Sequence, residues 1–245
     1  MIRFIIIVIF LGFYFILGLP LLFIEWVVRK CNKERADLHS LRIVQWAFGC
    51  MLFICGTDIT YIGEENIPDA PVLYVANHRS MTDILVTYRR CKRLTGFVAK
   101  KSLLKAPILR VWMKRLYCLF LDRENPREGA KTIFTAIDQV KEGISIFIFP
   151  EGTRNKGEEG SLLPFHAGSF KIAERGHCAV IPVAISGTQA IWEAQFPKVR
   201  KVKVVVEYGK PIYMDEMDRT EKKKVNELCQ QIIAEMLDKN KSLIS

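Results

Sequence analysis

Histidine is scarce in this chain, and its cysteines follow no pattern. Only four histidines occur among 245 residues, none of them paired at a metal-ligand spacing, so neither a metal nor any other cofactor is predicted. The seven cysteines form no CxxC pair and no regular framework. This excludes a disulfide scaffold and favours reduced thiols that serve as small hydrophobic side chains. We therefore expect the folded domain to face a reducing compartment.

The sequence also lacks the motifs of two large functional classes. It contains no nucleic-acid-binding motif, so we expect no nucleic-acid partner. It contains no GxSxG elbow, which argues against a serine nucleophile. The formal net charge is nevertheless +10, from 36 Lys and Arg against 26 Asp and Glu. Such a surplus suits an anionic partner, such as an acidic membrane surface or a phosphorylated substrate.

The amino-terminal segment is long and uncharged. Phe4–Ile24 contains no charged side chain, and at ~1.5 Å per residue it predicts a helix about 31 Å long, enough to cross a bilayer core. No small-residue cleavage site follows, which favours a retained anchor over a signal peptide. Gly12, Gly18 and Pro20 are tolerable in a spanning helix but also allow a broken or re-entrant one.

Basic residues flank this anchor unequally. Arg3 precedes it, whereas Arg29, Lys30, Lys33 and Arg35 follow it. The positive-inside rule then places the rest of the chain in the cytoplasm, in agreement with the cysteine argument.

A second apolar stretch, Ile43–Thr57, is too short to span comfortably. Three alternatives stay open for it: a segment in the membrane interface, a helical hairpin with the first segment, or a buried core helix.

After Pro71, short β-rich runs alternate with amphipathic stretches, which predicts an α/β domain with a mixed sheet flanked by helices. Helical spacing marks Ala130–Val140, between Pro126 and Gly143, and again Val225–Met236. We expect a membrane-anchoring helical region over residues 1–60 and one α/β domain over residues 61–245. The predicted strands are Val72–Ala76, Phe97–Ala99, Tyr117–Leu121, Ile144–Phe149, Ala179–Ser186 and Val202–Tyr208.

The first predicted strand leads directly into a polar loop with a histidine and an aspartate. His78 and Asp83 are five residues apart, which on one straight helix would place them about 140° apart. They can meet only if the backbone turns from strand to helix between them. Asp83 would then orient the His78 ring and leave its other nitrogen as a base. The alternative is that both residues only cap a helix.

A second loop after a predicted strand adds cationic and flexible residues. Glu151, Gly152, Thr153 and Arg154 follow Phe149-Pro150, and the guanidinium of Arg154 suits a phosphate. Two further cations, Arg123 and Lys100, also follow predicted strands. These loops together predict an anion-binding reaction centre, although exposed ion pairs would explain the same charges.

These motifs resemble those of the glycerolipid acyltransferase family, typified by the 1-acylglycerol-3-phosphate acyltransferases. Asn77–Asp83 matches the family motif NHxSxxD, and Phe149–Arg154 matches FPEGTR. Leu119–Arg123 and Val180–Val183 are similar to the second and fourth motifs, in the same order. The resemblance covers about residues 71 to 187.

The resemblance implies the transfer of a fatty acyl group from an acyl thioester to the sn-2 hydroxyl of 1-acylglycerol 3-phosphate (lysophosphatidic acid), which yields phosphatidic acid. The donor would be acyl-CoA or an acylated carrier protein, and membrane lipids would surround the anchor. His78 and Asp83 would be catalytic. The implied substrate-binding residues are Arg154, Glu151, Gly152, Thr153, Arg123 and Lys100.

Two positions depart from the family pattern, and three alternatives to this function stay open. Tyr117 stands where a glycine commonly opens the second motif, and His166 where a lysine is often seen. We expect both near the acceptor pocket, so they put the acceptor in doubt. The acceptor could instead be glycerol 3-phosphate or another lysophospholipid. A membrane-bound lipid or thioester hydrolase and a non-catalytic lipid-binding protein are the other two alternatives.

Overall fold

The computed structural model describes residues 1–122 and 125–244, and a mixed β-sheet lies at its centre. Within these residues, seven strands pair in the order β1-β7-β6-β2-β5-β3-β4. Neighbouring strands are parallel except β6 and β7, which are antiparallel. The predicted mixed sheet is confirmed. The strands are β1 Asp58–Ile62, β2 Val72–Ala76, β3 Thr95–Lys100, β4 Leu119–Leu121, β5 Ser145–Ile148, β6 Ala179–Ser186 and β7 Lys203–Tyr208.

Helices cover both faces of this sheet. Alternate residues of a strand point to opposite faces, so Val72 and Tyr74 of β2 enter one hydrophobic core while Leu73 and Val75 enter the other. The helices α1 to α4 close the first core, and α5, α6 and α8 close the second. The helices are α1 Ile2–Cys31, α2 Lys33–Cys55, α3 Thr82–Tyr88, α4 Pro107–Arg115, α5 Pro126–Lys141, α6 Lys171–Gly176, α7 Arg219–Lys223 and α8 Val225–Ile244.

Residues at the two ends of α5 show how the local sequence determines where a helix begins and ends. The side chain of Asn125 accepts hydrogen bonds from the backbone N–H groups of Arg127 and Glu128, and Pro126 occupies the first turn. These contacts satisfy N–H groups that have no partner within the helix. Beyond the other end, Gly143 adopts φ +92°, a conformation that favours glycine.

Strand β4 is shorter than predicted, and strand β1 was not predicted at all. The strand predicted from Tyr117 begins only at Leu119, because Tyr117 adopts φ +60° and cannot continue an extended chain. Asp58–Ile62 was not predicted as a strand. It is the edge strand β1, whose side chains are exposed or half-buried, so it lacks the apolar run that marks the central strands. The predicted division between residues 60 and 61 falls within this strand.

The first two helices form an antiparallel hairpin. At its open end, Arg3 Nη1 donates to the carbonyl of Cys55 at 2.8 Å. Near its turn, Arg29 Nε lies 3.3 Å from Asp37 Oδ1. Of the three alternatives for the second apolar stretch, the structure shows the hairpin, and α2 also contributes buried residues to the first core.

The hairpin packs against the α/β domain along its length. At the open end, the ring of Phe4 lies edge-on to Trp192, with centroids 5.6 Å apart. Midway along α2, Gln45 Nε2 donates to the carbonyls of Tyr88 and Cys91 at 3.1 and 2.7 Å. Both helices therefore lie alongside the domain rather than extending away from it.

The outer face of the hairpin is strongly apolar. Both helices are long and apolar enough to cross a membrane. Large side chains on α1 remain exposed, among them Ile9, Phe13, Ile16 and Phe23. Soluble proteins rarely expose a continuous apolar surface of this kind, so it indicates membrane anchoring.

Tyr117 fastens the turn of the hairpin to the domain. Its hydroxyl donates a hydrogen bond to Asp37 Oδ2, and Lys33 Nζ lies 5.7 Å from the centre of its ring. Tyr117 precedes β4, at the amino edge of the parallel strands, whereas His78 follows the carboxyl end of β2. The expectation that Tyr117 lies near the acceptor pocket is therefore wrong, and its contact is with the hairpin.

Replacement of Tyr117 by phenylalanine tests this attachment. Tyr117→Phe removes the donor to Asp37 Oδ2, whose side chain is only 1% exposed. We expect the free energy of unfolding to fall by about 1–3 kcal/mol, the cost of leaving a buried polar group without its partner. Thermal unfolding in detergent micelles would show the loss as a lower Tm. Tyr213→Phe, at an exposed position, is the control; equal Tm values for both variants would contradict the prediction.

Candidate active site

Three loops leave the sheet side by side at one edge. Strands β2 and β5 are parallel neighbours, so the loops that follow them, residues 77–81 and 149–155, meet at the carboxyl edge. Strand β6 is the parallel neighbour of β2 on its other side, and the segment 187–196 follows it. Residues that are far apart in sequence therefore face each other across one edge of the sheet.

Asn77 fixes the start of the first loop. Its side chain is fully buried, and its Nδ2 donates to the carbonyl of Ile185 at 2.9 Å. The N–H of Ile185 donates in return to Asn77 Oδ1 at 2.8 Å. The amide thus continues the pairing of β2 with β6 beyond Ala76, so the residue that follows leaves the sheet at a defined position.

His78 and Asp83 contact each other directly, as the sequence predicted. The distance from His78 Nδ1 to Asp83 Oδ2 is 2.8 Å. The contact is possible because α3 begins only at Thr82, and residues 77–80 turn the chain before it. The alternative in which both residues only cap a helix leaves this contact unexplained.

The surroundings of Asp83 determine how the histidine is protonated. Asp83 is fully buried, and its Oδ2 also accepts from the backbone N–H groups of Arg79 and Ser80 at 2.7 and 2.8 Å. Its Oδ1 accepts from the hydroxyl of Thr188 at 2.5 Å. The two backbone N–H groups can only donate, so Oδ2 is an acceptor, and its contact with His78 is a hydrogen bond when Nδ1 carries the proton. The other ring nitrogen, Nε2, is then an available base.

The ring and backbone of His78 are also held in place. The ring stacks on Phe149, with centroids 4.1 Å apart and an angle of 18° between planes. The backbone N–H of His78 donates to Glu151 Oε1 at 2.8 Å, and its backbone carbonyl accepts from the N–H of Asn155 at 2.7 Å. The loop of residues 149–155, which carries the third family motif FPEGTR and is called the third-motif loop below, therefore restrains both the side chain and the backbone of this histidine.

Glu151 lies between two loops rather than at an open surface. It is 4% exposed, and its second oxygen, Oε2, accepts from the N–H of Leu163 at 2.9 Å. Burial raises the pKa of Glu151, and the backbone N–H groups of His78 and Leu163 partly offset that rise by stabilising the carboxylate. Both oxygens are engaged by backbone, so the structure assigns Glu151 a role in positioning His78. Its predicted role as a substrate ligand stays a prediction.

The third-motif loop places Thr153 and Arg154 towards solvent. Arg154 is exposed, and its Nη1 lies 3.5 Å from Glu193 Oε1; Thr153 is exposed beside it. Gly152 adopts φ +69°, and a Cβ there would lie 3.3 Å from His166 Nε2. Glycine is therefore favoured at this position both by backbone conformation and by the closeness of His166. The expected place of His166 near the acceptor pocket stays a prediction.

The structure describes Lys100 but not Arg123, the two other cations predicted to bind the substrate. Lys100 ends β3 at the carboxyl edge and is exposed. Its neighbour Lys101 forms an exposed ion pair with Asp122 at 2.9 Å. Arg123 lies outside the described residues, so its predicted role in phosphate binding stays a prediction.

Three residues that the sequence motifs do not single out hold these loops together. Arg79, only 4% exposed, donates to the carbonyls of Gly157 and Glu158 and to Gln189 Oε1, each at 2.8 Å. Thr188 binds Asp83, and Glu193 binds the first loop and Arg154. Arg79 occupies a variable position of its motif, and the other two lie beyond the last motif, so the patterns used carried no signal for them.

Of the cysteines, Cys31 is exposed and the other six are buried or half-buried. All seven are free, and burial raises the pKa of Cys91 to about 12 and that of Cys118 to about 11. Thiols of this kind are unreactive core residues. Within residues 1–122 and 125–244, no group of three His, Cys, Asp or Glu side chains is placed to hold a metal ion.

The fold and the site together define a class. His78 is oriented by a buried carboxylate, and an exposed arginine lies on the neighbouring loop, so the arrangement is suited to general-base catalysis on an anionic substrate. The family description Acyltransferase matches residues 58–186, which is more than half of the chain. The protein therefore belongs to the acyltransferase family.

Curated relatives extend the match beyond this region. A protein of Saccharomyces cerevisiae named 1-acyl-sn-glycerol-3-phosphate acyltransferase is 30% identical over 207 residues, which cover 82% of this chain and 67% of the yeast protein. A protein of Cocos nucifera with the same name is 32% identical over 195 residues, which cover 77% of this chain and 59% of the coconut protein. The match thus spans about three fifths to two thirds of these two relatives' lengths.

A solved structure shares the fold over almost the whole chain. The crystal structure of the 1-acyl-sn-glycerophosphate (LPA) acyltransferase PlsC from Thermotoga maritima superposes with a TM-score of 0.83. The match covers 98% of this chain and 95% of the other, at 24% sequence identity. At this identity the likeness establishes the fold, including the amino-terminal helices.

Glu151→Gln separates the two roles considered for Glu151. Glutamine offers a single side-chain oxygen, so one of the two backbone N–H groups loses its acceptor and His78 shifts. We expect kcat for acyl transfer to fall roughly 10-fold or more with little change in the KM for the acceptor, as misplaced catalytic groups do. Steady-state kinetics with Glu174→Gln, an exposed residue of α6, as the control would measure this. A change mainly in the acceptor KM would instead identify a substrate ligand.

Proposed function

We propose that this acyltransferase transfers a fatty acyl group from an acyl thioester to the sn-2 hydroxyl of 1-acylglycerol 3-phosphate, producing phosphatidic acid. The observation that carries the proposal is the pair His78–Asp83, in which the acceptor-only carboxylate leaves His78 Nε2 as a base. The names of the yeast and coconut relatives support the choice of acceptor.

The chemistry follows from that free nitrogen. His78 Nε2 removes the proton from the acceptor hydroxyl as its oxygen attacks the thioester carbonyl, and an imidazolium forms beside the Asp83 carboxylate. Collapse of the tetrahedral intermediate breaks the carbon–sulfur bond, and the imidazolium returns the proton to the departing thiolate. The ester and the free thiol are the products, and the enzyme is restored. Direct transfer of this kind uses the protein only as a base and its electrostatic support.

The acceptor phosphate is assigned to the third-motif loop. Arg154 is the exposed guanidinium of that loop, and its planar set of donors can bind two phosphate oxygens at once. Thr153 lies beside it, and Lys100 ends β3 at the same edge of the sheet. We assign these residues, together with Arg123, to the binding of the acceptor headgroup.

The apolar hairpin delivers the enzyme to its lipid. The exposed face of α1 would enter the membrane interface, and the first loop and Glu193 segment lie near the open end of the hairpin through the contact of Phe4 with Trp192. The donor would be acyl-CoA or an acylated carrier protein, both of them anionic and suited to a net charge of +10. No cofactor takes part in this reaction.

We further propose that the α/β domain faces the cytoplasm. The unpaired, largely buried cysteines support a reducing compartment. The positive-inside rule applies to basic residues that follow a helix crossing the bilayer. In the hairpin, Arg29–Arg35 lie at the turn between α1 and α2. The proposed sidedness therefore depends on the cysteines.

Removal of the base tests the reaction. We expect His78→Ala to lower kcat by about 10²–10⁴-fold, the usual value of general base catalysis, and Asp83→Asn to cause a loss of similar order by disturbing the tautomer. The assay measures acyl transfer from an acyl-CoA to lysophosphatidic acid by protein reconstituted in liposomes. His177→Asn, which removes the imidazole of an exposed His–Asp pair, is the control. Full activity of His78→Ala would show that His78 is not the base.

Removal of the arginine tests the acceptor. Arg154→Ala should raise the KM for lysophosphatidic acid by about 10–100-fold, because hydrogen bonds to charged groups contribute about 1.5–3 kcal/mol. The KM for acyl-CoA should change little, and Arg219→Ala, at an exposed position of α7, is the control. A wild-type preference for monoacylglycerol, which lacks the phosphate, would overturn this acceptor. Equal acyl release with and without acceptor would favour the hydrolase alternative.

A further inference from the structure

A carboxylate outside the recognised motifs connects two of the active-site loops. Glu193 lies in a short helical turn, Glu193–Gln195, in the segment after β6. Its Oε2 accepts from the hydroxyl of Ser80 at 2.6 Å, and its Oε1 accepts from the N–H of Met81 at 2.6 Å. Both partners belong to the turn between His78 and Asp83, so this carboxylate stabilises the turn that brings the pair together.

The same carboxylate also reaches Arg154, in the loop of residues 149–155. Glu193 Oε1 lies 3.5 Å from Arg154 Nη1, with side-chain exposures of 25% and 43% for the two residues. Among the described residues this is the only hydrogen bond that Arg154 makes. The contact is long and one-sided, so most of the guanidinium donors remain available to a phosphate while the side chain is directed towards the first loop.

Packing against the hairpin keeps Glu193 in place. Its neighbours in sequence, Trp192 and Phe196, have parallel rings 6.4 Å apart. Both contact the ring of Phe4 on α1, with centroids 5.6 and 5.4 Å away. The turn that carries Glu193 is therefore supported by the amino-terminal helix, unlike a mobile surface carboxylate.

An exposed ion pair contributes little to stability by itself, so stability does not explain the contact between Glu193 and Arg154. Its consequence is geometric: one carboxylate sets the position of the phosphate-binding arginine relative to the catalytic turn. Arginine has several rotatable bonds, and a side chain that is already oriented loses less entropy when it binds its ligand.

We infer that Glu193 is a positioning residue for acceptor binding, which acts by orienting Arg154 towards the His78–Asp83 turn. This inference rests on the proposed role of Arg154 as the ligand of the acceptor phosphate. The ligand concerned is the phosphomonoester of lysophosphatidic acid, and the thioester donor should not be affected.

Steady-state kinetics of two variants test the inference. We expect Glu193→Ala to raise the KM for lysophosphatidic acid about 10-fold, because an arginine that is not oriented in advance loses more entropy on binding, with the KM for acyl-CoA unchanged. Glu193→Gln loses the negative charge but keeps a side-chain oxygen that can accept from the Met81 N–H and from Arg154. Its acceptor KM should therefore rise less than that of Glu193→Ala. Glu227→Ala, an exposed glutamate of α8, is the control. A decrease in acceptor KM would show that Glu193 competes with the phosphate and would overturn the inference.

A double-mutant cycle shows whether Glu193 acts through the arginine. In an Arg154→Ala background, Glu193→Ala should have no further effect on the acceptor KM, because the group that it orients is absent. Fully multiplicative effects would mean that the two residues act independently and would refute the positioning role. A lower Tm for Glu193→Ala with an unchanged acceptor KM would reduce Glu193 to a structural residue and would also refute it.

The same set of variants separates this inference from the function on which it rests. If Arg154→Ala alone leaves the acceptor KM unchanged, the proposed role of Arg154 fails. If Arg154→Ala raises the acceptor KM and Glu193→Ala does not, the role of Arg154 stands and the positioning role of Glu193 fails.

Discussion

The buried carboxylate of Asp83 is the group around which the active-site edge is built. Burial of a charge without partners is strongly unfavourable, and here the compensation comes from four donors: His78 Nδ1, the N–H groups of Arg79 and Ser80, and the Thr188 hydroxyl. Two of these donors are backbone groups of the turn itself. The turn, the protonation of the histidine and the docking of the segment after β6 are therefore consequences of one requirement, the solvation of Asp83 by protein.

The order of the strands decides which loops can meet that requirement. Strand β2 lies between β5 and β6, so its loop has one neighbouring loop on each side. Glu151 comes from one side and binds the His78 N–H, and Thr188 comes from the other side and binds Asp83. Arg79 reaches across to residues 157–158 and to Gln189. Many of these contacts are hydrogen bonds to neutral backbone groups, so the site does not depend on ion pairs alone.

The hairpin is a structural part of the domain as well as an apolar surface. Tyr117 binds Asp37 near its turn, and Trp192 packs on Phe4 at its open end. At position 117 a left-handed conformation, φ +60°, explains why glycine suits the corresponding position of the family motif. Here the tyrosine accepts that conformation and gains a hydrogen bond to a buried carboxylate. The membrane-facing helices and the catalytic loops are thus joined through packed side chains.

Local sequence determined the elements whose patterns are strong. Strands β2 and β6 and the helix between Pro126 and Gly143 follow from apolar runs, helical spacing and end signals, and the His78–Asp83 pair follows from motif and position. Edge strand β1 was missed because its side chains are half-exposed, and the left-handed Tyr117 shortened β4 without a signal in the pattern. The contacts of Glu193 with Ser80 and Arg154 join residues separated by 113 and 39 positions. Such contacts leave no periodic trace in a sequence, because they depend on how strands are ordered and loops packed, and only the tertiary structure decides that.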